Sequence, residues 1–177
     1  VLDLTSFDLD RYSALRAKIA QQGIVMTPLS DLIESDPNHM TKLVGLANVL
    51  MVDEPTAETQ EPVDEELFRN YYMSSDTYYP EGWFIAVHHG DYVGWCAVLP
   101  NTEKPEQLSN GITVIARDYR RMGLATAMKA HVIEHAKMMG GTQIRTSNVS
   151  TNPMLTVNRK LGYVPVRDSF QYKKVLA

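Results

Sequence analysis

Two hydrophobic rhythms divide the chain. In the first half, apolar residues recur every three or four positions, the helical spacing. Leu9, Tyr12, Leu15 and Ile19 follow Asp8, a capping residue, and Gly23 follows them. This predicts a helix over 9–22 behind a lead-in or short strand at 1–7. Ile24–Thr27 reads as a short β-branched strand closed by Pro28. Asp36-Pro37 is a cap and first-turn proline, and Met40, Leu43, Val44, Ala47 and Leu50 predict a helix over 37–51. Residues 53–62 are acidic and proline-containing, a loop, and 63–73 predict a helix that opens on carboxylates. From Trp83 the rhythm changes. Strands are predicted at 83–88, 92–99 and 108–115, the first two joined by a tight turn at His89-Gly90-Asp91. A helix over 123–139 ends at Gly140-Gly141. A strand at 143–147, a helix at 153–161 stopped by Gly162, and strands at 163–166 and 170–175 complete the chain. Helices followed by a β-meander and then alternating elements predict an α/β (α+β) fold with a mixed sheet.

Composition narrows the function. At 177 residues the chain is long enough for one domain with its own core. Hydrophobic residues are 44% and charged residues 21%, which excludes a disordered tail. The formal net charge of −4 argues against a general nucleic-acid binder. One cysteine, Cys96, excludes a disulfide framework and a cysteine-based zinc site. No apolar run approaches the roughly 18 residues of a membrane span, and no signal peptide is visible, so the expected location is the cytoplasm.

Chemistry concentrates in residues 112–141. A strand ends at Ile115, and Arg120-Arg121-Met122-Gly123-Leu124-Ala125-Thr126 runs into the helix. Small residues at the turn let an anion approach bare backbone. The first helical N–H groups lack internal partners, and the helix dipole adds about 0.3–1 kcal/mol per interacting charge. Arg117, Arg120 and Arg121 add full charges. Two readings stand on these grounds: a phosphate cradle, or a basic surface turn. The P-loop and dinucleotide fingerprints are both missing.

Arg120-x-x-Gly123-x-Ala125 resembles the Q/R-x-x-G-x-G/A motif of the GNAT superfamily, the acyl-CoA-dependent N-acetyltransferases. Asn152-Pro153-Met154-Leu155-x-x-Asn158-x-Lys160-Leu161-Gly162-Tyr163 is similar to that family's later N-x-x-(A/M)-x-x-(Y/N)-x-K-x-G-(F/Y) signature. The resemblance implies a sheet of about six to seven strands flanked by about four helices. It would splay between the family's fourth strand (here 108–115) and fifth (143–147). Residues 24–177 would form the domain and 1–23 an N-terminal extension or inter-domain connector, as in two-domain members. It implies acetyl-CoA (coenzyme A) as donor and a small-molecule or protein amine as acceptor. A homodimer or a neighbouring GNAT domain would be the further partner, with no nucleic acid and no membrane.

Site residues carry over from the resemblance one by one. Thr113, Val114 and Ile115 would offer backbone groups to the pantetheine arm, and an N–H near Ile115 would stabilise the oxyanion. Arg120 begins the motif, and the N–H groups of Arg121, Met122, Gly123, Leu124, Ala125 and Thr126 would hold the pyrophosphate. Asn152 and Asn158 would face the cofactor. Many members have a tyrosine acid where this chain has Asn158, which can hydrogen-bond a sulfur but does not titrate near neutral pH. Lys129, on the helix, either reaches a phosphate or is solvated, with the solvated reading preferred; Cys96 reads as a core residue and Tyr163 as packing. Remaining base candidates are His88, Glu81, Asp76 and a water chain. His131 and His135 have metal-ligand spacing but no identifiable third ligand, and read as a solvated or partly packed pair. Tyr71-Tyr72 and Tyr78-Tyr79 are either acceptor-pocket or core aromatics. The acidic run 53–66 reads as a solvated loop.

Overall fold

The computed structural model describes residues 1–53 and 61–166. Strands are β1 (Leu2–Asp3), β2 (Ile24–Pro28), β3 (Trp83–His88), β4 (Asp91–Leu99), β5 (Gln107–Ile115) and β6 (Gln143–Arg145). Helices are α1 (Ser13–Gln21), α2 (Leu29–Ser35), α3 (His39–Asp53), α4 (Glu65–Phe68), α5 (Leu124–Met138) and α6 (Met154–Lys160). The sheet order is β1-β6-β5-β4-β3-β2. Every pairing is antiparallel except β5 with β6. This is a mixed α/β fold with six strands and six α-helices among the described residues. The family's fourth and fifth strands are β5 and β6 here, because β1 is counted first.

Apolar side chains on the two sheet faces build two cores. On one face α1 and α5 cover Phe84, Ala86, Val93, Cys96 and Ile115. On the other, α2, α3 and α4 cover Trp83, Ile85, Trp95 and Val114. Gly94 leaves room for the Met128 side chain of α5, since a Cβ there would stand 2.7 Å from Met128 Sδ.

Three elements differ from the sequence reading. Helix α2 was not predicted, because Pro28 reads as a terminator but here precedes a helix that starts at Leu29. The helix predicted over 63–73 is one turn capped by the Asp64 side chain, running on as a π-helix over Arg69–Met73. Residues 163–166 form no strand. Their one reciprocal contact is between Val1 and Val164, whose N–H donates to the Val1 carbonyl at 2.8 Å. Most of the acidic loop (54–60) and the strand read at 170–175 lie outside the described residues.

Residues 1–23 are woven into the domain. Strand β1 pairs with β6, Leu2 opposite Ile144. Leu2, Leu4, Tyr12 and Ile19 are buried in the α5-side core. The Tyr12 hydroxyl donates to the Lys160 carbonyl at 2.9 Å, and Arg16 pairs with Glu134 at 2.6 Å.

Burying a large apolar side chain contributes about 1.5–3 kcal/mol, so these four supply roughly 6–12 kcal/mol. That is comparable to the entire stability of a domain, about 5–15 kcal/mol. A chain starting at Ile24 is expected to lose its cooperative melting transition, measured by circular dichroism and calorimetry.

The histidine pair flanks Phe84, with both rings edge-on to it. Burial holds His131 below the ordinary imidazole value of 6.5, with the Arg16 charge adding to the effect. Burial lowers His135 likewise. As pH falls through about 6.5 the unfolded chain takes up these protons first, so folded stability is lost. The melting temperature is expected to fall between about pH 7 and 5, and His131→Gln with His135→Gln to flatten that fall.

Candidate active site

Strands β5 and β6 run side by side for three residues and then part. Their last pair is Ser109 with Arg145. Beyond it, among the described residues, Asn110–Ile115 pairs with β4 and no longer with β6. A bulge adds to the divergence. Cys96 pairs with Thr113 and Val98 with Asn110, so two steps on β4 match three on β5, around Gly111 and Ile112. The Ala116 N–H donates to the Val93 carbonyl. Strand alternation then turns the backbone groups of Val114 toward β4 and those of Thr113 and Ile115 toward the open edge. At its end Arg120 Nε donates to the Ile115 carbonyl at 2.9 Å.

A cavity of about 550 Å³ fills the gap between the parted strands. Thr113, Val114 and Ile115 line one wall, and Thr146, Asn148 and Asn152 the other. The turn into α5 closes one end with Arg120, Arg121, Gly123, Leu124, Ala125 and Thr126. Arg121 has φ +62° and Gly123 φ +93°, both left-handed. For Gly123 this conformation carries no steric penalty. A Cβ at Gly123 would meet Leu15 Cδ1 at 2.8 Å, so α1 supports the turn from behind. The first bond of the helical ladder is from Ala127 N–H to the Gly123 carbonyl. The N–H groups of Leu124, Ala125 and Thr126 precede that ladder. The remaining predicted cradle residue, Met122, packs half-buried against the core.

Asn152 and Asn158 take different positions. Asn152 lines the cavity, and its Oδ1 accepts from the Met154 N–H at 2.8 Å, holding the start of α6. Asn158 is only 3% exposed and sits behind Asn148, donating to its Oδ1 at 2.7 Å. Asn148, not Asn158, lines the wall. The Oδ1 of Asn158 has no hydrogen-bond partner among the described residues.

Lys129 corrects the sequence reading. It is 1% exposed, not solvated, and it lines the cavity. Its Nζ donates to Asn110 Oδ1 and lies 5.5 Å from the centre of the Tyr163 ring. Asn110 in turn donates to the Ala97 carbonyl at 2.9 Å and contacts the Cys96 sulfur. No carboxylate pairs with Lys129 among the described residues. Burial lowers its pKa from 10.5, against a smaller opposing effect of Cys96. The Tyr163 phenol is buried without a hydrogen-bond partner among the described residues, and burial raises its pKa. The signal for Lys129 was present in the sequence. It stands three and four residues before Val132 and Ile133, on the apolar stripe of its helix.

The other candidates lie elsewhere. His88 Nδ1 is 2.8 Å from the Tyr119 hydroxyl, beside the turn. Glu81 follows Pro80 in the turn before β3 and acts electrostatically on His135. Asp76 lies in the segment before that turn. Tyr72 and Tyr78 meet Trp95 and Trp83 edge-on in the second core, whereas Tyr71 is exposed. The described residues contain no group of side chains able to hold a metal. None of their helices is long and apolar enough to cross a membrane.

Known proteins add an independent comparison. No curated protein sequence matches this chain. Solved structures do. A protein of Agrobacterium tumefaciens assigned as an acetyltransferase aligns with TM-score 0.60 and 20% identity, covering 85% of this chain and all of its own. An aminoglycoside N-acetyltransferase in complex with CoA aligns with TM-score 0.58 and 15% identity, covering 85% and 93%. The NatC complex bound to Gag peptide and CoA aligns with TM-score 0.60 and 16% identity, covering 81% and 86%. These identities establish a shared fold. The Acetyltransferase (GNAT) family matches residues 43–162, a span from α3 through the turn and the cavity to the end of α6. By that match and this architecture, the chain belongs to the GNAT acetyltransferase family.

Proposed function

We propose that this protein transfers an acetyl group from acetyl-CoA to a primary amine, by direct attack within a ternary complex. The observation that carries the reading is the cavity between β5 and β6, bounded at one end by a left-handed turn with arginines and helix-start N–H groups. The residues present fit an acyl-CoA. The N–H groups of Leu124, Ala125 and Thr126, with Arg121, hold the pyrophosphate. The open edge of β5 at Thr113 and Ile115 bonds the pantetheine amides as a further strand would. Bound acyl-CoA supplies the activated acyl group. An N–H on the open edge of β5, nearer Asn110 than Ile115, stabilises charge developing on the carbonyl oxygen, and fixed approach of the amine contributes the rest. Asn152 orients the wall at the start of α6, and Asn158 acts through Asn148 as a positioning residue. The acceptor is an amine on a small molecule or a peptide, in the cytoplasm.

A second reading has one observation in its favour. Asn158 has no titratable group and lies behind the wall. The domain would then bind acyl-CoA without turnover, as a sensor or the partner of a neighbouring domain.

Calorimetric titration with acetyl-CoA tests the donor site. The wild-type protein is expected to bind, and Gly123→Glu to bind at least ~100-fold more weakly, about 2.7 kcal/mol. Because Gly123→Glu also strains a left-handed position, Arg121→Gly is the companion variant. It relieves φ +62° while removing one charge, and is expected to weaken binding about five- to tenfold, roughly 1–1.4 kcal/mol. Thiol release across a panel of amines then separates the readings. Turnover excludes the silent binder, and binding without any turnover excludes the enzyme.

A further inference from the structure

The acetyl-transfer reading leaves one buried group without a task. Lys129 is a lysine inside the protein, on the wall of the cavity, with an amide and an aromatic ring for neighbours and no anion. Burying an ammonium without an opposite charge is costly, so such a residue persists against selection for stability. Its position along the cavity is informative. The anion-binding turn follows Ile115, and Asn110, which holds Nζ, lies five residues back along β5, about 17 Å at the rise of a strand. Asn110 is also the first residue after β5 and β6 part. The two ends of the cavity thus differ in kind. One presents backbone N–H groups and arginines on the surface, and the other a single buried ammonium. An arm anchored by its pyrophosphate at the turn and laid along β5 ends at Lys129.

We propose that Lys129 is the proton donor to the sulfur that leaves during acyl transfer. This rests on the acyl-CoA reading of the same cavity. The amine nitrogen forms a bond to the carbonyl carbon, and the carbon–sulfur bond breaks with its electron pair on sulfur. Sulfur takes a proton from Nζ and departs as the thiol. The neutral Lys129 amine then regains the proton shed by the new amide nitrogen, which returns the enzyme to its starting state. Asn110 is the positioning residue, holding Nζ through Oδ1 while its own amide is fixed by the Ala97 carbonyl. The other titratable groups facing Lys129 are the Tyr163 phenol and the Cys96 thiol, both buried. Burial lowers the pKa of Lys129 from 10.5, which makes its ammonium a stronger acid toward sulfur.

The test reads the sulfur directly. The thiolate absorbance of protein-bound CoA is followed against pH, with desulfo-CoA as the blank that removes the contribution of Cys96. In the wild-type protein the bound thiol is expected to titrate at least one unit below free CoA. In Lys129→Met that lowering should vanish, with CoA affinity retained within about threefold and turnover reduced at least ~100-fold. Methionine matches lysine in volume without its charge, and the variant is expected to melt no lower than wild type. Lys129→Gln serves the same comparison should Met disturb the fold. Equal thiol titration in wild type and variant, or full turnover by Lys129→Met, overturns the assignment. Failure of the wild-type protein to bind CoA at all overturns the donor reading, and this assignment with it.

Discussion

The parting of β5 from β6 is the constraint on which the rest depends. A sheet satisfies backbone N–H and carbonyl groups by pairing every strand, and an open edge inside a protein leaves polar groups to be satisfied otherwise. Here β5 keeps β6 for three residues and then faces a cavity. The protein tolerates this because the far side of β5 remains bonded to β4, and because Arg120 takes the Ile115 carbonyl. The bulge at Gly111–Ile112 adds a residue to β5 where the strands diverge, and bulges bend a strand and increase its twist. Each device favours the gap over a continuous sheet. An unsatisfied buried group costs about 1–3 kcal/mol, so such a gap is retained where a ligand completes it.

A second constraint follows from the first. The same helix supplies both ends of the cavity. Its first turn offers N–H groups, and its second turn carries Lys129 inward. The distance between the turn and Lys129 is therefore set by helix geometry and by packing of α5 on the sheet. Gly94 eases that packing, since a side chain there would force the Met128 side chain to shift. A shift of α5 by a fraction of an ångström would move the proposed anion-binding turn and the buried lysine together.

Much of this was legible in the sequence, for identifiable reasons. The hairpin at 83–99, the strand ending at Ile115 and the helix stopped by Gly140 were written in alternation, helical spacing and glycine, all local signals. The Gly123–Thr126 turn was legible because it needs small residues and left-handed backbone, which few residue types supply. Helix α2 was not, since Pro28 permits a helix start as readily as it ends a strand. Residues 163–166 alternate like a strand but are held by one pair of bonds to Val1. Lys129 was misread because lysine is expected in water, and residue type outweighed position on the stripe. Asn158 was matched to a motif position, but its layer depends on how α6 packs, and a motif does not carry that. Asn148 was missed because nothing about one asparagine in a loop marks it as lining a wall.

The N-terminal segment shows how fold and site are coupled. A reader of the sequence sets residues 1–23 apart because the motifs begin later. In space, Leu15 of α1 lies directly behind Gly123, where a side chain on the turn would have to stand. Arg16 is tied to Glu134 and the Phe7 carbonyl accepts from Lys137, both on α5. The helix whose first turn is the proposed anion site is thus held from behind by the segment without motifs. Partly exposed polar ties of this kind, one an ion pair and one a hydrogen bond to a carbonyl, contribute little alone, about 0–1 kcal/mol. Their common direction matters more, because both hold the same helix. The left-handed turn at Gly123 is consequently a tertiary feature as much as a local one. Glycine allows the conformation, and a Cβ there would require the Leu15 side chain of α1 to move aside.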